Sequence, residues 1–141
     1  MCRFPFLDGH GIWISQLVVH SAHRRKGVAS TLCAMCWQHD ATAWGLVTSH
    51  PYAIKAMETA SKRQCDPTLI AAHATSLVKT ARVPYASASS IRCTSTQSLI
   101  DTRFYVDHSE VNAIVAELPN WRLGNLGEGD EFFAFTFPTC Q

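Results

Sequence analysis

Charged residues are scarce in this chain, and neither sign dominates. Asp, Glu, Lys and Arg make up 16% of 141 residues, and twelve basic against eleven acidic side chains leave a formal charge of +1. Such balance gives no broad field for holding nucleic acid or an anionic membrane, so any basic site must be local. Long apolar runs are also missing. Ile12 to Val19 is interrupted by polar residues and falls far short of the ~20 residues a membrane-spanning helix requires. The opening Met1-Cys2-Arg3-Phe4-Pro5-Phe6 lacks the apolar stretch and small-residue cleavage site of a secretory signal, which sets the expectation of a cytoplasmic protein. The cysteines Cys2, Cys33, Cys36, Cys65, Cys93 and Cys140 are scattered and form no dense disulfide framework, so reduced thiols are expected.

What is present is an ordinary globular composition, 47% hydrophobic, at a length that makes one domain spanning residues 1–141 the default. Gly9-His10-Gly11 separates a short apolar start from Ile12–Val19, whose β-branched and aromatic content predicts a hairpin followed by a buried strand. Val28, Leu32, Met35 and Cys36 recur at helical spacing, predicting a helix to about His39. Ala43–Thr48 reads as a further strand, and Pro51 suits the first turn of a helix carrying Ala53, Ile54, Met57 and Ala60. Asp66-Pro67 opens another helix as cap and first residue, with Ile70, Ala74, Leu77, Val78 and Ala81 on its stripe and its end before Pro84. The alternation favours an α/β sheet with crossover helices.

Ala86–Ser90 reads as an exposed loop. In Ser98–Val106, a strand would place Ile100, Thr102, Phe104 and Val106 on one face and Leu99, Asp101, Arg103 and Tyr105 on the other. Ser109 is the expected cap of a helix striped by Val111, Ile114, Val115 and Leu118, and Pro119 helps to end it. Gly124, Gly127 and Gly129 then turn the chain into an aromatic strand over 131–137. No internal repeat is present.

The informative motif is Arg24-Arg25-Lys26-Gly27-Val28-Ala29, which follows an apolar strand and opens a helix. Main-chain N–H groups at the helix start, the positive end of its dipole and three consecutive cations suit a pyrophosphate, while Gly27 and Ala29 keep side chains out of the way. Coenzyme A carries that group. A solvated basic loop would have the same short motif, so the flanking residues decide. Ile14–His20 followed by Arg24–Leu32 resembles the strand, pyrophosphate loop and helix of the GNAT superfamily of acyl-CoA N-acyltransferases. Leu46–Met57 resembles that family's next strand and helix, and the whole pattern is similar to uncharacterised fungal GNAT-like proteins.

The resemblance covers residues 9–60, an acyl-CoA-binding core, and leaves 61–141 as a carboxy-terminal strand-helix-strand portion. It implies a partial GNAT-like α/β fold, a mixed β-sheet flanked by helices, lacking most of the amino-terminal strands and helices where the acceptor side is built. A homodimer completing the exposed sheet edge is one consequence. In that family the two strands splay, and the pantetheine arm enters between them as an added strand would. The implied cofactor-binding residues are Leu17, Val18, Val19, Arg24, Arg25, Lys26, Gly27, Val28, Ala29 and Ser30. The implied reaction is transfer of an acetyl (acyl) group from the co-substrate acetyl-CoA to a primary amine of a small molecule or protein.

Direct attack by an amine needs that amine deprotonated and is helped by an acid for the departing thiolate. Where relatives often carry a strand carboxylate, this chain has Ser15 and Gln16. Where a tyrosine acid is frequent, it has Met57. His20 and His50, at the ends of the two strands, are the candidate bases, although histidines there also serve as loop or capping residues. Tyr52 and Tyr105 are the candidate acids. Two further classes compete: a noncatalytic GNAT-like remnant that binds coenzyme A or a protein partner, and a metal or redox protein built on Cys33-Ala34-Met35-Cys36 with His39. The latter pair falls within a helix and lacks a second Cys-x-x-Cys, so no metal is expected. His73 and His108 belong to no motif and read as surface or hydrogen-bonded core residues.

Overall fold

The computed structural model describes residues 1–139, so Cys140 lies outside the described residues. Cys2–Phe6 (β1) and Gly9–Ile14 (β2) pair antiparallel around a two-residue turn at Leu7 and Asp8. The expected hairpin is present, but Gly9-His10-Gly11 lies in β2 and Leu7, at φ 50°, takes the left-handed turn position. A crossover through Val28–Cys36 (α1) leads to Ala43–Thr48 (β3), parallel to β2. Pro51–Ser61 (α2) and Pro67–Ala81 (α3) follow. Each starts at the expected proline, and Asp66 Oδ1 accepts the Thr68 N–H at 2.9 Å to cap α3.

The expected loop over Ala86–Ser90 is instead divided between a short helix, Pro84–Ser87 (α4), and the start of a strand, Ser90–Cys93 (β4). β4 pairs antiparallel with Ser98–Phe104 (β5), and after Ser109–Glu117 (α5) the last strand, Gly129–Thr136 (β6), inserts antiparallel between β5 and β3. The result is one mixed sheet in the order β1-β2-β3-β6-β5-β4. The α/β expectation and the mixed sheet with flanking helices hold.

Strand alternation divides the core between the two faces. On one, Trp13 is fully buried, meets the Phe133 and Phe135 rings edge-on at 5.7 and 5.2 Å, and donates from Nε1 to the Tyr85 hydroxyl of α4 at 2.8 Å. Helix α3 crosses this face, touching β1, β2, β4, β5 and β6. On the other, Phe132 meets Trp121 at 4.9 Å, and Lys55 of α2 lies 5.8 Å from the Trp121 ring. Close approach of β3 and β6 requires Gly45, whose added Cβ would lie 2.1 Å from the Ala134 carbonyl oxygen.

Helix α1 is rotated from the predicted stripe. Cys33 is buried, with Ala29 and Cys36 half-buried on the same face, whereas Val28, Leu32 and Met35 are exposed. Helix α1 packs against α2, with the small Ala29 and Cys33 turned to the core and the larger side chains left outside. The helix also stops at Cys36, with Trp37 extended. In β5 the predicted alternation fails: Ser98, Leu99 and Ile100 are all buried, and beyond a register shift between Asp101 and Phe104, with Arg103 at φ 60°, Phe104 and Val106 are exposed.

Candidate functional site

β2 and β3 pair in parallel from Gly11 opposite Ala43 to Ile14 opposite Leu46, where their ladder stops. Val47 and Thr48 continue against β6 alone, opposite Phe133 and Phe132. The strand expected to run to Val19 therefore ends at Ile14. Its β-branched continuation has no partner strand: among the described residues, Gln16–Val19 make no backbone hydrogen bond to another strand. Leu17 still packs on the core, whereas Val18 is 82% exposed. Beyond the end of the β2–β3 ladder, the main chain of Gln16 to Val18 thus has no strand partner, and unpaired peptide groups of this kind are what a ligand adding as a strand would use.

The next residues fold back over the end of β2. Arg24 Nε donates to the Val19 carbonyl at 3.1 Å, and a single helical turn at Ser21–His23 is capped by His20, whose Nδ1 accepts the Ala22 N–H at 3.2 Å. Arg25 and Gly27 are left-handed, at φ 61° and 75°. Gly27 is the cap residue of α1, with no side-chain cap bond and no acidic residue in the first turn. The early N–H groups of Val28, Ala29 and Ser30 therefore have neither a side-chain acceptor nor a neighbouring carboxylate to offset the helix dipole. A Cβ placed on Gly27 would meet no protein atom within 4 Å, so the space before the helix is open. Arg24, Arg25 and Lys26 are exposed and form no ion pair among the described residues. The residues predicted for phosphate binding, Arg24 to Ser30, thus form a contiguous, exposed and uncapped helix start.

The candidate bases divide. His20 Nδ1 is engaged as the acceptor of the Ala22 N–H that closes the Ser21–His23 turn. His50 occupies the cap position of α2, donates its main-chain N–H to Thr48 Oγ1 at 3.1 Å and exposes its ring, with no side-chain partner among the described residues. Because β2 and β3 are parallel, His20 and His50 both follow their carboxyl ends, the side of an α/β sheet at which ligand crevices form. Tyr52 and Tyr105 are exposed, Ser15 Oγ accepts from the Met1 amino group at 3.2 Å, and Met57 is fully buried. The Met57 position belongs to the core.

The cysteine pair has other surroundings. Burial, and secondarily Cys36, push the Cys33 thiol up to about 11, against the thiolate that metal binding or thiol exchange uses. His39 Nδ1 accepts from Trp37 Nε1 at 3.2 Å. No group of three or more His, Cys, Asp or Glu is placed to hold a metal ion among the described residues.

Two hollows lie in other parts of the chain. One, of about 320 Å³, is lined by Thr75, Val78, Lys79, Ser87 and Ile91. The other, of about 290 Å³, lies between Val106–Ser109 and Leu126–Glu128 and includes His108. His108 departs from the expectation of a surface or hydrogen-bonded core residue: it is buried, and neither ring nitrogen has a hydrogen-bond partner in the protein. His73 packs edge-on against Phe6, ring centroids 5.5 Å apart. Sequence reasoning also missed Tyr85 as the acceptor for Trp13. No helix among the described residues is long and apolar enough to cross a membrane. No family model, curated protein or solved structure matches the chain.

Proposed function

We propose that this chain is an acyl-CoA-dependent N-acyltransferase that moves an acetyl group from acetyl-CoA to a primary amine of a small molecule or protein. The observation that carries the proposal is the early end of the β2–β3 ladder at Ile14, followed by residues without a strand partner and, after the Ser21–His23 turn, by an uncapped, cation-rich helix start. The main chain of Leu17, Val18 and Val19 would pair with the pantetheine arm. Arg24, Arg25 and Lys26, with the main chain of Gly27, Val28, Ala29 and Ser30, would hold the pyrophosphate. When bound, acetyl-CoA supplies the activated thioester. The protein then contributes positioning and main-chain donors, which accelerate transfer without a dedicated side-chain acid. His50, with a free ring on the same side of the sheet, is the residue assigned to take a proton from the incoming amine.

A second reading, a GNAT-like remnant that binds coenzyme A or a protein partner without turnover, is favoured by buried Met57 and by the engagement of His20 with Ala22. One titration bears on both. Acetyl-CoA is titrated calorimetrically into the native chain and into a variant with Arg24, Arg25 and Lys26 changed to Ala, after circular dichroism has shown both folded. Three exposed cations at about 1 kcal/mol each give an expected loss of about 100-fold in affinity. Saturable native binding with that loss supports the cradle, and thiol release with an amine panel then separates turnover from binding alone. No binding by a folded native chain would overturn both coenzyme A readings.

A further inference from the structure

We propose that the solvent face of α1, with the basic loop before it, is a docking surface for an anionic phospholipid membrane, on which the chain rests reversibly without crossing it. The proposal goes beyond the acyl-transfer reading and does not need it, because it starts from side chains to which that reading gives no role. A helix on a protein surface normally turns charged and polar residues to water. Helix α1 has no charged residue at all, whereas α2 carries Lys55 and Glu58, α3 Lys79, and α5 Glu110 and Glu117. Val28, Leu32 and Met35 share one face by their i, i+4 and i+7 spacing and are 36, 38 and 78% exposed. The exposed Thr31 and Ala34 beside them are uncharged too. Val18, at 82%, and Met35 are the two most exposed large apolar side chains among the described residues.

The charge carried with this face is of one sign. No Asp or Glu occurs between Asp8 and Asp40. Arg24, Arg25 and Lys26 are exposed and form no ion pair among the described residues. Arg24 Nε donates to the Val19 carbonyl at 3.1 Å, which holds the start of the basic run against the neighbour of Val18. Unneutralised cations with water-facing apolar side chains before and after them call for a partner that is anionic at its surface and apolar beneath it.

Other occupants satisfy only part of this. A nucleic acid would neutralise the cations and leave Leu32 and Met35 in water. A second copy meeting the same patch across a two-fold axis would bring like charges together. The nine residues of α1 are also few beside the about 20–30 residues a side of a standard protein interface. An anionic bilayer offers phosphate headgroups to Arg24, Arg25 and Lys26, and acyl chains below them to Val18, Leu32 and Met35. With a formal charge of only +1 on the whole chain, the attraction is confined to this patch, so the contact is reversible.

The test is flotation of the full chain with vesicles of phosphatidylcholine alone and of equal parts phosphatidylcholine and phosphatidylglycerol, each variant first shown folded by circular dichroism. The expected result is flotation with the anionic vesicles only. Arg25→Gln with Lys26→Gln should weaken partition about 25-fold, at about five-fold for each cation, and Met35→Glu about ten-fold. Met35 is exposed, so its substitution leaves the core intact. No flotation of the folded chain with anionic vesicles, equal flotation with both compositions, or unchanged partition of Met35→Glu would overturn the proposal. Absent flotation together with self-association that Met35→Glu abolishes, read by sedimentation velocity, would overturn it in favour of a second copy. Coenzyme A is absent from the experiment, and Met35→Glu keeps every residue assigned to acetyl-CoA, so the two proposals fail separately.

Discussion

Gly27 offers a way to separate what the chain needs from what a ligand needs. Its φ of 75° is costly for any residue with a Cβ, yet the added methyl of Gly27→Ala would meet no protein atom within 4 Å. The folding penalty is therefore a backbone one. A left-handed Ala costs about 1–2 kcal/mol, partly offset by the lower entropy of the unfolded Ala chain, for a net loss of about 1 kcal/mol. In a chain of this length, that lowers Tm by about 3–5 °C. If a pyrophosphate lies against the start of α1, the same methyl points into its space, and acetyl-CoA affinity should fall at least about ten-fold, or about 1.4 kcal/mol. Gly27→Asn is the control, since Asn tolerates the left-handed region. Its Tm should fall less than that of the Ala variant while its affinity falls at least as far. Scanning calorimetry and acetyl-CoA titration read the two effects separately. A lowered Tm with affinity unchanged within about two-fold would refute the placement of the phosphates and leave Gly27 as a turn residue.

Other expectations follow from the core and the titrating groups. Tyr85→Phe removes the acceptor that lies 2.8 Å from Trp13 Nε1 and should cost about 1–2 kcal/mol in urea unfolding; an unchanged midpoint would mean the indole finds another partner. With its thiol at about 11, Cys33 should resist iodoacetamide in the native protein at neutral pH, as should fully buried Cys65, whose thiol is also raised by burial and then by Glu58. Mass spectrometry showing fast native labelling of Cys33 would contradict the packing of α1 on α2. Asp107 is held low by the Ser109 hydroxyl and N–H. Its contribution is therefore present above the ordinary carboxylate range and lost as pH falls through its lowered folded value. Amide exchange at the start of α5 should accelerate over that acid window in the native chain, whereas Asp107→Ala should exchange fast at neutral pH as well.

Where local chemistry decides structure, the sequence was readable. Asp66-Pro67 marks the start of α3 because a carboxylate cap and a proline without N–H satisfy a helix opening on their own, and the stripe from Ile70 to Ala81 is the face that packs. The run Ala43–Thr48 is a strand at its predicted bounds. Tertiary neighbours decided the rest. Leu17-Val18-Val19 has strand-forming side chains but no strand to pair with, so β2 ends at Ile14. Ser90-Ile91-Arg92-Cys93 is short and polar, yet β5 provides a pairing edge and it becomes β4. Ser109 was the expected cap of α5, but Asp107 supplies the carboxylate two residues earlier and binds Ser109 itself.

Arg24–Ser30 and His108 differ in the same way. Arg24–Ser30 could be put forward from sequence because a helix start with flanking cations is made of consecutive residues, which can be read in order. His108 was not, because its burial depends on Leu126–Glu128 arriving from beyond α5, held there by Asn112. Nothing within several residues of His108 marks it as buried or its nitrogens as unpartnered. Helix α1 shows why the distinction matters for function. Its larger apolar residues predict the buried face, but the small ones, Ala29 and Cys33, face the core while Val28, Leu32 and Met35 are turned outward. That rotation alters which side chains border the cradle while leaving its main-chain donors at the helix start. A candidate built from consecutive backbone groups is therefore insensitive to the error, whereas the surroundings of a side chain such as His108 become visible only when the chain has folded around it.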